Sequence, residues 1–130
     1  MYSKITNDIK VTVEPFYLEE QSSPTDQRYV WAYTIAIENT GNEKVRLLNR
    51  YWHITDAIGM TQEVRGAGVV GEKPLLSPYD VFQYTSGASL RTPSGIMKGE
   101  YEFENERKER FNVVIPVFSL DSPDQMRRPN

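Results

Sequence analysis

Of the patterns in this sequence, the one most typical of a binding site is formed by three glycines in the middle of the chain. Gly66, Gly68 and Gly71 match the G-x-G-x-x-G spacing that cradles the pyrophosphate of a dinucleotide. That chemistry needs a helix directly after the glycines, because N–H groups at a helix N-terminus hold the phosphates. Pro74 and Pro78 follow instead, and they are incompatible with such a helix. We therefore interpret the segment as a turn or bulge that needs glycine for its backbone geometry.

A second interpretation of the same segment stays open. Gly66, Gly71 and Lys73 give a spacing one residue longer than a P-loop, and Pro74 stands where a magnesium-binding Ser or Thr would be. Backbone N–H groups of the loop could still form an anion-binding nest, with Arg65 and Lys73 on either side. The alternative function is therefore a sensor of small anions or of nucleotides that contain pyrophosphate.

Other residues offer little of the spacing that catalysis or metal binding requires. His53 is the single histidine, and the absence of cysteine excludes disulfide bonds and thiolate chemistry. Asp56 is three residues from His53, so the two side chains point to opposite faces if both lie on a strand. Glu100, Glu102 and Glu104 alternate as the solvated face of a strand does. No catalytic residue, metal site or cofactor is predicted.

An aromatic cluster lies beside a cation at residues 50–53, RYWH. If Tyr51 and His53 face the core together with Leu47, alternation along a strand turns Arg50 and Trp52 to the other side. An exposed tryptophan would mark a partner-binding patch. The alternative is a central strand with both faces covered. The candidate partner or anion surface comprises Arg50, Trp52, Arg65, Gly66, Gly68, Gly71 and Lys73.

The elements that position these residues are predicted to be strands. Tyr29–Asn39 (YVWAYTIAIEN) alternates large apolar and smaller residues, with Trp31 as a core anchor. Residues 86–95 contain Gly87 and Pro93 and are predicted to form a loop. Pro15 should end the first strand or lie at a bulge. Similar alternation predicts further strands over residues 6–13, 45–55, 60–65, 81–85, 96–104 and 111–118.

About seven or eight short strands without helical periodicity are typical of an all-β antiparallel sandwich. A length of 130 residues suits one domain, which we place at residues 1–120, followed by a flexible polar tail over residues 121–130. The net charge of −3 argues against nucleic-acid binding. Because no signal peptide and no membrane-spanning segment is recognisable, we expect a cytoplasmic protein with no membrane partner.

The chain resembles the ApaG family of small bacterial proteins over residues 5–120. The family's fold implies a fibronectin type III-like, immunoglobulin-like antiparallel β-sandwich. The segments that carry the resemblance are RYWHITD (50–56), EVRGAGVVGEKPLLSP (63–78), YTSG (84–87), TPSGIMKGEY (92–101) and IPVFSL (115–120).

The resemblance also implies a class of function. Domains similar to ApaG occur in eukaryotic F-box proteins and in a polymerase-delta-interacting protein, which implies a role in protein recognition. The family is also associated with cobalt and magnesium tolerance, which leaves a link to divalent-cation homeostasis open. We therefore expect a non-catalytic module for protein–protein interaction. Its partner is unidentified, and edge strands that pair between copies would give a homodimer.

Overall fold

Nine β-strands and two short 3-10 turns make up the chain in the computed structural model, which describes residues 1–123. The strands are β1 (Tyr2–Thr6), β2 (Ile9–Tyr17), β3 (Tyr29–Asn39), β4 (Val45–Asp56), β5 (Thr61–Ala67), β6 (Leu75–Leu76), β7 (Val81–Leu90), β8 (Ser94–Asn105) and β9 (Arg110–Asp121). The 3-10 turns at Glu19–Gln21 and Pro24–Asp26 connect β2 to β3.

The strands form two antiparallel sheets that pack face to face. One sheet has the order β1-β2-β3-β7, and the other has the order β5-β4-β8-β9, with the short β6 paired to the start of β4. The structure is therefore the antiparallel sandwich that the strand pattern predicts, and it fits the immunoglobulin-like, fibronectin type III-like fold that the family resemblance implies.

The core lies between the sheets and consists of every second residue of the central strands. Trp31 is 1% exposed, and its indole Nε1 donates to the Asp121 carbonyl oxygen at 3.0 Å. The prediction that Trp31 anchors the core is confirmed. Tyr101, Phe103 and Phe118 face it from the other sheet and are equally buried.

Two predicted boundaries are wrong. Residues 86–90 continue β7 rather than forming a loop, so the connection to β8 is a tight turn. Pro15 does not end its strand, and β2 runs on to Tyr17. The pairing of β1 with β2 extends only as far as Val13, so β2 has no partner strand on that side at Pro15. The missing N–H of Pro15 therefore removes no hydrogen bond to β1.

Strand β1 was not predicted, and the strand predicted over residues 6–13 includes the end of β1, a turn and the start of β2. The residues of β1 form a hairpin with β2 around Asn7 and Asp8, which both have positive φ (48° and 65°). A two-residue turn of this kind matches the twist of the flanking strands. The hairpin brings β1 against β9, where it helps to close one side of the sandwich.

At the C-terminus, Asp121 is the last residue of β9, and Ser122 is buried at 1% exposure. The Ser122 N–H donates to the Pro93 carbonyl oxygen at 3.0 Å. These two residues therefore pack as part of the sandwich, Pro123 is the last described residue, and residues 124–130 of the predicted tail lie outside the described residues. Within residues 1–123, no helix has the length and apolar character needed to cross a membrane.

Candidate functional site

A β-bulge decides which residues of β4 face the core. The pairing of β4 with β8 shifts register between Leu47 and Asn49, so Leu48 is an extra residue in the strand. Because side chains alternate along a strand, this insertion turns Arg50 and Trp52 to the same side as Leu47. The sequence prediction assumed uninterrupted alternation and therefore assigned the two faces the wrong way round.

Trp52 is consequently a core residue. It is 4% exposed, and its ring centroid lies 5.4 Å from that of Tyr33 and 6.0 Å from that of Phe118 in edge-to-face geometry. The prediction of an exposed Trp52 that contacts a partner is wrong. This part of β4 instead has one face in the core, whereas the other face, which carries Tyr51 and His53, is half-buried.

Arg50 is half-buried and extends across β5 at the margin of the core. Its Nη1 atom donates to the carbonyl oxygens of Ala67 at 3.1 Å and Gly68 at 2.9 Å. None of the ion pairs found within residues 1–123 involves Arg50. A guanidinium group has five N–H donors, so two neutral carbonyls leave both its charge and part of its donor set available.

The first glycine of the motif makes room for this guanidinium. Gly66 pairs with Arg50 across the β4–β5 ladder. A Cβ atom at Gly66 would lie 2.8 Å from Cζ, Nη1 and Nη2 of Arg50. Any larger residue at this position would therefore displace the Arg50 side chain.

The other two glycines build a tight turn. Val69 and Glu72 exchange backbone hydrogen bonds of 2.8 and 2.9 Å around Val70 and Gly71, which have φ values of 41° and 79°. Gly68 has a φ of 63°, and a Cβ atom there would overlap the Glu72 carbonyl oxygen. Glycine serves backbone geometry at both positions, as the sequence interpretation held.

This turn lacks the features of a dinucleotide or phosphate loop. The glycines are followed by β6 rather than by a helix. The N–H groups of Gly68, Val69 and Glu72 already donate to backbone carbonyl oxygens. Lys73 is exposed, and its carbonyl oxygen accepts a hydrogen bond from Arg46 at 2.9 Å. An anion nest would have to use the few N–H groups that remain.

A cleft of about 320 Å³ opens between the two sheets where β5 and β7 face each other. From β4 and β5 it is lined by Arg50, Trp52, Ile54, Gln62 and Val64, and from the opposite sheet by Tyr33 and residues 86–89. Ser86 and Ala88 are the inward-facing residues of β7 at this point. Their small size leaves a gap between the sheets where larger side chains would close the core.

Three tyrosines lie near Arg50 at the inner end of this cleft. The hydroxyl groups of Tyr84 and Tyr101 are hydrogen-bonded at 2.6 Å. Burial raises the pKa of Tyr33, Tyr84 and Tyr101, and the positive charge of Arg50 opposes that rise at each of them. The three tyrosine hydroxyl groups are therefore uncharged at pH 7, so none of them balances the positive charge of Arg50.

A second depression, of about 580 Å³, lies on the outer face of the same sheet. Tyr51 and Arg65 line it, with the Arg65 guanidinium carbon 4.3 Å from the centroid of the Tyr51 ring. Arg65 also lies 3.7 Å from Glu63, and both side chains are largely exposed. Burial and the nearby Glu63 carboxylate raise the pKa of Tyr51. The rest of the lining consists of Asn49, Arg50, Gly66, Ala67, Glu100, Glu102 and Asn112.

The single histidine lies on this outer face, because the bulge turns it away from the core. His53 is half-buried and pairs with Glu63 on one side and Lys98 on the other. Its two neighbours have opposite charges, and Asp56 lies at the end of the strand. Among residues 1–123, no group of three or more His, Asp or Glu side chains could hold a metal ion.

The predicted candidate residues thus divide into four groups. Arg50, Gly66 and Gly68 come together at the cleft, and Arg65 lies on the outer face. Trp52 belongs to the core. Gly71 and Lys73 lie in or next to the tight turn. Tyr33, Gln62 and Val64 also line the cleft and were not predicted as site residues, because only the bulge and the sheet order bring them beside Arg50.

Comparison with known proteins supports both the fold and the relationship. The model of the ApaG domain matches residues 19–105. Among curated relatives, Protein ApaG of Paramagnetospirillum magneticum is 58% identical over 130 residues, which cover 100% of both chains. Protein ApaG of Agrobacterium fabrum is 59% identical over 127 residues, 98% of each chain. These names state no activity and no ligand.

Two solved structures are similar over nearly the whole chain. A crystal structure assigned to the ApaA protein of Bordetella pertussis has a TM-score of 0.87 at 48% identity, covering 89% of this chain and 94% of that one. An X-ray structure of a structural genomics target has a TM-score of 0.87 at 42% identity, covering 98% and 96%. The sandwich described above is therefore shared with these proteins.

Proposed function

The chain belongs to the ApaG family, and we propose that it is a non-catalytic β-sandwich module that binds a partner protein on the side where β5 and β7 lie. We call this the open side. The single observation that carries the proposal is strand β5. It is an outer strand of its sheet, and its residues are exposed apart from Gly66.

An outer strand presents a row of backbone N–H and C=O groups that no neighbouring strand uses. Proteins commonly recognise an extended segment of another protein by adding it to such an edge, which gives affinity through main-chain hydrogen bonds. Strand β5 has seven residues, long enough for a ladder of several such bonds. Its backbone is held firmly, because it pairs with β4 along its full length.

The side chains around β5 suit protein recognition. Tyr51 and Arg65 form an exposed cation–π pair on the outer face, and Val64 is 39% exposed beside the cleft. Tyrosine and arginine are the residue types that most often dominate binding energy at interfaces. A segment added to β5 would contact both groups, one on each side of the sheet.

The same site supports catalysis poorly. A tyrosine acts as a base or nucleophile only when its pKa is lowered toward neutral. Burial moves the pKa of Tyr33, Tyr84 and Tyr101 in the opposite direction. The cleft therefore offers donors and acceptors for binding, together with a fixed cation, rather than an activated group.

The sensor of small anions is the weaker proposal, because three N–H groups of the glycine turn are already engaged. A divalent-cation role has no cluster of ligands among residues 1–123 to support it. Both remain testable by amide shift titration with pyrophosphate and with magnesium or cobalt. Saturable shifts confined to residues 65–73 on adding pyrophosphate would favour the sensor over protein binding.

The proposal is tested by mapping a purified complex. A partner captured from extract of the native host is identified, purified and titrated into the isotope-labelled protein. Amide shifts should concentrate in β5 and in the facing residues of β7. Val64→Lys, which places a charge beside the cleft, should abolish the complex, whereas Val117→Lys on β9 should not. Val117 is a suitable control because it is also an exposed strand valine, at 56%.

Two outcomes would contradict the proposal. One is a purified complex whose shifts lie on the opposite side of the sandwich, around β1 and β9. The other is the absence of any complex between purified components. If sedimentation instead shows that Val64→Lys dissociates a dimer of this chain, the occupant of the β5 edge is a second copy.

A further inference from the structure

The geometry points to Arg50 as a receptor for a carboxylate side chain carried by the extended partner segment. This inference rests on the proposed function, since it specifies which segment the open side selects. It goes further by naming a site, the cleft between β5 and β7, and the chemical group that enters it.

The position of the guanidinium is the first argument. Arg50 crosses β5 at Gly66, the only residue of that strand without a side chain to block it. Its Nη1 atom is fixed by the Ala67 and Gly68 carbonyl oxygens. The charged group therefore lies at the edge strand itself, held in one orientation, where an added segment would meet it.

The electrostatic environment is the second argument. The hydrogen-bond acceptors of the guanidinium are neutral backbone carbonyls, and the polar side chains that share the cleft with it, Tyr33, Gln62 and Ser86, are neutral as well. Glu100 and Glu102 line the outer depression that Arg50 also borders, but neither forms an ion pair with it. None of the ion pairs within residues 1–123 reaches Arg50. A half-buried cation without a counter-charge is costly. It selects an anionic partner, and arginine fits a carboxylate through two parallel hydrogen bonds.

The available space is the third argument. The cleft has a volume of about 320 Å³, and a water molecule in the liquid takes roughly 30 Å³. An aspartate or glutamate side chain fits there together with bridging water. The small residues Ser86, Gly87 and Ala88 keep the opposite wall open.

Strand geometry then fixes a pattern for the bound segment. The inward-facing positions of β5 are Gln62, Val64 and Gly66, which pair with Ile54, Trp52 and Arg50. A segment added to β5 would likewise direct every second side chain into the cleft. The side chain that lies beside Gly66 meets Arg50, and the one two residues away meets Val64. We therefore expect an acidic residue and an apolar residue separated by one position.

Peptide selection tests this inference directly. A phage-displayed library of random linear peptides is selected against the purified full-length protein and, in parallel, against Arg50→Gln and Gly66→Ala. The unmodified protein should enrich peptides with Asp or Glu two positions from an apolar residue. Arg50→Gln should lose the acidic preference and keep the apolar one. Gly66→Ala, which displaces the guanidinium without removing it, should weaken the acidic preference.

The selected peptide is then synthesised and measured by fluorescence anisotropy. Replacing its acidic residue with the matching amide should weaken binding to the unmodified protein about tenfold or more. It should change binding to Arg50→Gln little, because the charge partner is gone. Arg50→Lys keeps the charge without the planar fork, so it should restore part of the preference. Thermal unfolding of each variant shows that the altered selection does not come from a damaged fold.

Each result decides between the two proposals. Peptides that bind β5 but lack an acidic preference, or an acidic preference that persists in Arg50→Gln, overturn the role of Arg50 and leave the edge-binding function standing. Amide shifts place such peptides on β5. If no peptide is enriched above background although the purified target protein is folded, the extended-segment form of both proposals is wrong. Peptide binding that free acetate or pyrophosphate displaces completely indicates a small-anion site instead.

Discussion

The two sides of the sandwich are built differently. Where β1 meets β9, side chains join the sheets: the Tyr2 and Ser119 hydroxyl groups lie 3.1 Å apart, and Asn7 Nδ2 donates to the Asn112 carbonyl oxygen at 3.1 Å. The Val114 N–H also donates to Thr6 Oγ1 at 3.3 Å. Neither side has a backbone ladder between its outer strands, but where β5 meets β7 no side-chain hydrogen bond joins the two strands within residues 1–123 either. We call the first the closed side.

This difference separates residues that stabilise the fold from residues available to a ligand. On the closed side, polar groups of one sheet satisfy polar groups of the other, so little is left for a partner. On the open side, Arg50 is held by two neutral carbonyls and retains unused charge, and β5 retains a free edge. Edges and unpaired charges are features that proteins usually cover. Strands β1 and β9 are outer strands as well, so a free edge alone does not distinguish the two sides. We place the binding surface on the open side because Arg50, a half-buried cation that none of the ion pairs within residues 1–123 reaches, lies there.

The largest expected effect is a difference in the free energy of unfolding between variants of Trp52, which faces the core, and of its neighbour Tyr51, which faces outward. Trp52→Ala should lower the free energy of unfolding by about 3–5 kcal/mol, because it removes a buried aromatic side chain. Tyr51→Ala should cost under about 1 kcal/mol, since Tyr51 lies on the partly exposed outer face. Urea unfolding of both variants measures the difference. Equal costs would mean that the bulge does not set the faces of β4 as described.

The next largest effect is a difference in stability between alanine variants of two glycines in the same turn, Gly68 and Gly71. Gly68→Ala and Gly71→Ala each force an L-residue into the left-handed region, at about 1–2 kcal/mol. Only at Gly68 would the new Cβ also overlap the Glu72 carbonyl oxygen; at Gly71 nothing lies within 4 Å. Gly68→Ala should therefore cost at least about 1 kcal/mol more. Chemical denaturation tests this, and a larger loss for Gly71→Ala would contradict the backbone explanation of the motif.

A third prediction concerns the hydroxyl pair at the inner end of the open side. Tyr84→Phe should cost about 1–3 kcal/mol, because the buried Tyr101 hydroxyl loses the partner it has at 2.6 Å. The double variant Tyr84→Phe/Tyr101→Phe should cost clearly less than the sum of the two single variants, since neither hydroxyl is then left unpaired. Strict additivity in a double-mutant cycle would show that the two hydroxyl groups do not depend on each other.

The Tyr84–Tyr101 pair makes the free energy of unfolding depend on pH in the alkaline range. Burial raises the folded-state pKa of Tyr84 and Tyr101 above the ordinary value of 10.0, whereas the unfolded chain titrates at that value. The contribution to stability is therefore fully present below pH 10 and is lost as the pH rises through the folded-state pKa. The free energy of unfolding, measured from neutral pH upward, should fall above about pH 10. The fall should be shallower in the double phenylalanine variant.

How far the sequence predicted this molecule depends on the range of the interactions involved. Alternation is a local property, so the strand at Tyr29–Asn39 and its anchor Trp31 were predicted correctly. The bulge at Leu48 depends on pairing with residues of β8 that lie more than fifty positions away in the sequence, and nothing in the local sequence reveals it. The assignment of Trp52 to the surface failed for that reason.

The candidate site was predicted in part, for a similar reason. The requirement for glycine at Gly66 and Gly68 was inferred correctly, but its cause differs at the two positions: an arginine side chain at one and a backbone carbonyl at the other. The cleft itself could not be predicted, because it exists only where the outer strands of two sheets come to face each other. Its small residues on β7 lie in a segment that glycine content suggested was a loop.

The smallest stability effects give the most direct test of the contrast between the two sides. Tyr2→Phe removes a closed-side hydroxyl bridge and should cost about 0.5–1.5 kcal/mol of unfolding free energy, while leaving partner binding unchanged. Arg65→Ala removes an exposed cation from the open side and should change stability by no more than about 0.5 kcal/mol, while weakening partner binding clearly. Thermal unfolding and a binding titration of the same two proteins measure both quantities. If Tyr2→Phe weakens binding as much as Arg65→Ala does, binding depends on the whole sandwich rather than on one side. The functional distinction between the closed and open sides would then be lost.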